Sequence, residues 1–78
     1  MAMIMMTELL DFEEQWPRWS GRKDEAIRVR FGVSPARYFQ LLHRAIDTLE
    51  AVQVNPMLVR RLRDKRREAA LRHRRMLA

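Results

Sequence analysis

Apolar positions fall into four blocks, each repeating with the period of a helix. In the first, residues 7–16, Leu9, Phe12 and Trp16 stand at i, i+3 and i+7 and predict one buried face. Thr7 is a candidate cap, Glu8 and Asp11 suit the positive end of the helix, and Pro17 forbids continuation. The second block runs from Ser20–Gly21 to Phe31. Ile27 and Phe31 lie one turn apart, with Asp24 and Glu25 early and Arg28 and Arg30 late, as the helix dipole favours. Gly32 follows at the place where a left-handed backbone closes a helix.

The third block opens at Ser34–Pro35, a capping hydroxyl followed by a residue with no amide to lose. Tyr38, Leu41, Leu42, Ala45, Ile46 and Leu49 then give the clearest helical period in the chain. Arg37, Gln40, Arg44 and Asp47 occupy the opposite side, and Phe39 and His43 lie between the two. After a connector over residues 50–54, Asn55–Pro56 repeat the start signature, and a fourth helix continues unbroken to about Met76. Leu58, Val59 and Leu62 can dock it, but beyond Leu62 its apolar face fades.

These blocks predict an all-α fold: a small bundle of about four helices with a helix–turn–helix corner and a long basic C-terminal helix. Residues 7–54 form a three-helix core, with the helix–turn–helix-like segment at 22–49. Residues 55–78 form a basic helix or arm that begins in the same domain. A chain of 78 residues holds one domain, and 47% hydrophobic with 33% charged residues separates it from disordered sequences. Trp16 and Trp19 read as core and corner packing rather than as a base-stacking platform, because they sit beside the acidic part of the chain. Residues 1–6 read either as a flexible lead or as apolar contacts completing the core or a dimer.

Catalytic and metal chemistry find little support. The absence of cysteine excludes disulfides, a thiolate nucleophile and thiolate-ligated metals. His43 and His73 stand on different helices, and no cluster of Asp, Glu or Cys accompanies them at ligand spacing. Glu13 and Glu14 are adjacent, so they share no helix face and make no acid–base pair; each is a candidate partner for Arg18 or Arg22. Ser20 and Ser34 serve as caps, and no glycine-rich phosphate loop occurs. The expectation is a non-enzyme with no cofactor. The stretch MAMIMMTELL lacks a basic start and does not read as a secretory signal, and no apolar run is long enough for a membrane span. A cytoplasmic protein without a membrane partner is expected, with nucleoid association a natural location.

Charge directs attention to polyanions. The formal net charge is +6, but the first seventeen residues hold four acids and no base. From Arg60 onward nine bases face only Asp64 and Glu68. Eight of the nine are arginine, whose planar fork suits phosphate. Arg60, Arg61, Arg63, Lys65, Arg66, Arg67, Arg72, Arg74 and Arg75 are therefore candidate phosphate contacts. Arg37, Gln40 and Arg44 on the preceding helix are candidate base readers, since arginine matches guanine and glutamine matches adenine. Phe39 and His43 are candidate partner contacts.

The phrase FGVSPARYFQLL resembles the helix–turn–helix of sigma-factor region 4 and small repressors. Ile27 and Phe31 precede the turn glycine, and Tyr38 and Leu41 follow at the expected apolar positions. Arg28 departs from that pattern, which places a small residue there, and predicts a looser or differently angled crossing. The pieces LLDFEEQW, KDEAIRVRFGVSPARYFQLLHRAID and NPMLVRRLRDKRREA resemble a family of short actinobacterial and actinophage proteins classed as a domain of unknown function. That resemblance implies an intracellular protein and assigns no activity. Relatives often carry tyrosine at Phe39 and asparagine at His43.

The function expected from these features is a small DNA-binding protein, a transcriptional regulator or nucleoid-type accessory. Its partner is double-stranded DNA, and it acts as a monomer or a homodimer. The alternatives are a module binding an acidic surface of the transcription machinery, and RNA binding.

Overall fold

Four of five helices begin at a side-chain oxygen that accepts an otherwise orphaned backbone amide. Ser20 accepts from Lys23 N at 3.1 Å, Ser34 from Arg37 N at 3.2 Å, Thr48 from Ala51 N at 3.2 Å and Asn55 from Leu58 N at 3.2 Å. The computed structural model describes residues 3–77, and the expectations made for residues 1, 2 and 78 lie outside them. The helices are α1 (Met6–Gln15), α2 (Gly21–Phe31), α3 (Pro35–Ala45), α4 (Leu49–Val54) and α5 (Pro56–Leu77). The fold is all-α. Gly32 ends α2 with φ 68°, the left-handed conformation expected there.

Three local expectations are corrected. Thr7 does not cap α1, which starts one residue earlier, after an extended Met5, with no side-chain cap. The stretch over residues 50–54 is the short helix α4 rather than a connector. Thr48 is the cause: its hydroxyl donates to the Ala45 carbonyl at 2.7 Å and accepts from Ala51 N, closing α3 and opening α4. That break turns Leu49 outward, 71% exposed, although it continues the apolar period of α3.

α1 packs on α3 and α4, α2 packs on α3, and α4 packs on α5. Leu9, Leu10, Ile27, Leu42, Ile46, Ala51, Leu58 and Val59 fill the centre. An aromatic group joins the first three helices: Phe12 meets Phe31 at 5.3 Å and Tyr38 at 5.4 Å, and Phe31 stacks on Tyr38 at 5.5 Å. Trp16 packs against this group, whereas Trp19, expected on the core, is 71% exposed. At the amino end Ile4 and Met6 pack against the core, while Met3 and Met5 are exposed.

Beside the aromatic group lies a buried ion pair. Lys23 Nζ is 2.7 Å from Glu13 Oε1, and the Tyr38 hydroxyl donates to the same oxygen at 2.7 Å. Glu13 and Lys23 are 3% and 2% exposed. The pairing expected for Glu13 with Arg18 or Arg22 is therefore replaced by Lys23. Glu14 instead accepts from Asn55 Nδ2 at 2.9 Å and lies 3.9 Å from Arg61. Burial first, then the hydrogen bond and charge of Glu13, push the Tyr38 hydroxyl far above its ordinary pKa, so it remains a donor.

Removing one member of this pair strands the other charge away from water. Glu13→Ala is expected to cost about 3–5 kcal/mol, against roughly 4–12 kcal/mol for a domain of this size. Tyr38→Phe is expected to cost about 1.5–3 kcal/mol, the worth of a hydrogen bond to a charged group. The triple replacement Glu13→Leu, Lys23→Met and Tyr38→Phe should recover most of the loss, since it leaves no buried polar group without a partner. Urea unfolding followed by circular dichroism measures all three variants.

Candidate nucleic-acid interface

The helix after the Gly32 turn is held by its buried side and leaves the other side open. Tyr38, Leu42 and Ala45 are buried, whereas Arg37, Gln40, His43 and Arg44 are exposed. Arg37 Nη1 donates to Gln40 Oε1 at 3.3 Å, so the first two candidate base readers lie side by side. Arg44 follows one turn later on the same face. α2 and α3 pack in a helix–turn–helix-like manner through Ile27, Phe31 and Tyr38. Arg28 stays out of that contact: it is exposed and lies 3.8 Å from Glu25.

α5 meets α3 at the carboxyl end of the latter. Arg66 forks onto Asp47 through Nη2 at 2.7 Å and Nη1 at 3.1 Å, and Nη1 also reaches the His43 carbonyl at 3.4 Å. Arg63 Nε donates to the Ile46 carbonyl at 2.9 Å. Two cations thus occupy the negative end of α3, where backbone carbonyls lack intrahelical partners. The crossing leaves Arg37, Gln40 and Arg44 uncovered.

The basic residues of α5 consequently divide. Arg63 and Arg66 are tied to the core, and Lys65 Nζ donates to the Pro17 carbonyl at 3.2 Å. Arg61 faces Glu14, and Arg67 lies 3.8 Å from Asp64 in its own helix. Among the described residues, Arg60, Arg72, Arg74 and Arg75 make no ion pair or side-chain hydrogen bond. Every residue from Arg67 to Leu77 is exposed, which makes this end of α5 a basic rod open to solvent.

The two candidate partner contacts have different settings. Phe39 is half-buried: its ring meets Tyr38 edge-on at 5.2 Å, and Lys23 Nζ sits 5.4 Å from its centroid. His43 is largely exposed beside Phe39 and Arg66. Partial burial and then the Arg66 charge hold its pKa below the ordinary value, which keeps it neutral near pH 7.

A family profile described as a protein of unknown function, DUF3263, matches residues 5–75. The chain belongs to the DUF3263 family. The match covers α2, the turn, α3 and nearly all of α5, so the elements that build this surface lie within the family's shared region. No curated protein and no solved structure matches the chain. Among the described residues, no helix is long and apolar enough to cross a membrane.

The Arg66–Asp47 fork has a pH signature. The hydrogen bond from Arg66, together with its charge, holds the Asp47 carboxyl below its ordinary value of 3.8. A depressed folded-state pKa contributes stability that is present above the unfolded value and lost as pH falls through the folded one. Asp47→Asn should therefore melt below the parent at pH 7, and the gap should close as pH falls below about 4. Thermal unfolding of both chains between pH 3 and 7 measures this.

Proposed function

We propose that this DUF3263 member is a small double-stranded DNA-binding protein acting as a regulator or nucleoid-type accessory. It works by binding and not by catalysis. The supporting observation is the way α5 joins α3. α5 meets the carboxyl end of α3 through Asp47 and leaves Arg37, Gln40 and Arg44 exposed, while the unpaired Arg72, Arg74 and Arg75 continue beyond the junction. An exposed helix of this size fits the major groove of B-DNA, and an adjoining basic rod can follow the phosphates. Duplex RNA suits the surface less well, because its major groove is too narrow and deep for a helix.

Affinity comes in this reading from Arg60, Arg72, Arg74 and Arg75, with Arg37 and Arg44 adding contacts near the groove. About five neutralised phosphates predict a few-hundredfold loss of affinity between roughly 50 and 200 mM salt. Replacing Arg72, Arg74 and Arg75 together with glutamine should weaken every sequence alike and lower the salt slope by about 3. Gln40→Ala should instead alter preference at one base pair, by about 1–3 kcal/mol. Titration of labelled duplex DNA, duplex RNA and a polyglutamate chain at two salt concentrations tests the proposal. Absence of DNA binding at low salt, or equal affinity for polyglutamate, contradicts it.

A further inference from the structure

We propose that the cleft between the α1–α2 connection, α3 and α5 binds a planar aromatic anion. The cleft has a volume of about 270 Å³. Its walls are apolar: Pro17 and Trp19 from the connection, Phe39 and Leu42 from α3, and Leu62 and Ala69 from α5. Sites for small organic molecules combine such walls with a few fixed polar groups. A two-ring system with one acidic group matches the volume.

The polar groups are arranged for a negative charge. The Glu13–Lys23 pair lies at the floor, and both members line the cleft while almost wholly buried. Their charges cancel at 2.7 Å, and the pair holds the cationic Lys23 against Phe39. At the rim stand Lys65 and Arg66. Asp47 neutralises Arg66. Lys65 has no acidic partner within ion-pair distance, and its ammonium donates to the Pro17 carbonyl. After these cancellations one cation remains at the mouth of an aromatic-lined cleft. His43, also at the rim, is neutral and adds a flat ring.

The exposure of Trp19 fits the same purpose. It is 71% exposed on a connection bounded by Pro17 and the Ser20 cap, yet it forms part of the cleft wall. A bound aromatic ring would cover part of that indole and gain from contact with it. The acidic group of such a ligand can be a carboxylate or a phosphate, and the geometry calls equally for either. This inference stands apart from DNA binding, because none of the candidate base readers Arg37, Gln40 and Arg44 lines the cleft.

Chemical-shift mapping of the ¹⁵N-labelled full chain provides the test. The probes are 2-naphthoate, 2-naphthyl phosphate and the neutral 2-naphthalenemethanol. At least one anion should give saturable shifts at Trp19, Phe39, His43 and Leu62, and the neutral probe should bind about tenfold more weakly. The anion that succeeds identifies carboxylate or phosphate as the source. Lys65→Gln should weaken the anion about tenfold. Trp19→Ala should weaken it as well while leaving the melting temperature nearly unchanged, since its side chain is mostly solvated. Overturning results are no saturable shift with either anion at millimolar concentration, shifts confined to residues 72–75, equal affinity for the neutral probe, or undiminished affinity in Lys65→Gln.

Discussion

The buried contact of Glu13 with Lys23 and Tyr38 fixes how the first three helices meet. Each comes from a different helix, and Glu13 Oε1 is the shared point. Taking a carboxylate and an ammonium out of water is costly, and close mutual approach with added hydrogen bonding offsets that cost. An apolar core tolerates rotation of one helix against another more readily than such a pair does, because a misplaced buried charge has no alternative partner. Tyr38 carries this constraint into α3 and also stacks on Phe31. With the inner side of α3 fixed at Tyr38, helical geometry determines that Arg37, Gln40 and Arg44 face outward.

A second constraint sets α5 on this base. Few apolar residues hold it: Leu58 and Val59 are buried and Leu62 is half-buried. Arg63 and Arg66 supply the rest by binding the carboxyl end of α3 and Asp47. The same residue type therefore does two jobs along one helix. Near the bundle, the forks of Arg63 and Arg66 satisfy carbonyl and carboxylate oxygens of the protein. Farther out, identical forks meet only solvent and remain available to an external anion. The carbonyls at the end of α3 mark the change from one use to the other.

The all-helical fold was legible because capping residues and apolar periods agree over most of the chain. Ser20, Gly32, Ser34 and Asn55 each act where their chemistry places them. The break before α4 was not legible, since Leu49 sustains the period of α3 and only the two hydrogen bonds of Thr48 override it. The ion pair was missed for a related reason. Glu13 lies one turn after Leu9, and Lys23 one turn before Ile27, so both occupy apolar faces that were read through their hydrophobic members alone. A carboxylate and an ammonium at such positions on neighbouring helices form a readable signal once they are paired. The outward residues of α3 were legible from periodicity. The division of the α5 arginines was not, because it depends on where α3 ends.

Because the chain contains no cysteine, single cysteines can report which faces meet DNA. Gln40→Cys, Arg72→Cys and Val29→Cys place one reporter on α3, one on the outer part of α5 and one on the exposed side of α2. Cross-linking each to duplex DNA through a short photoreactive group should label major-groove base edges from residue 40 and the sugar–phosphate backbone from residue 72, with no labelling from residue 29. Labelling from residue 72 alone would contradict the arrangement, leaving α5 a basic tether and α3 a helix that never enters the groove.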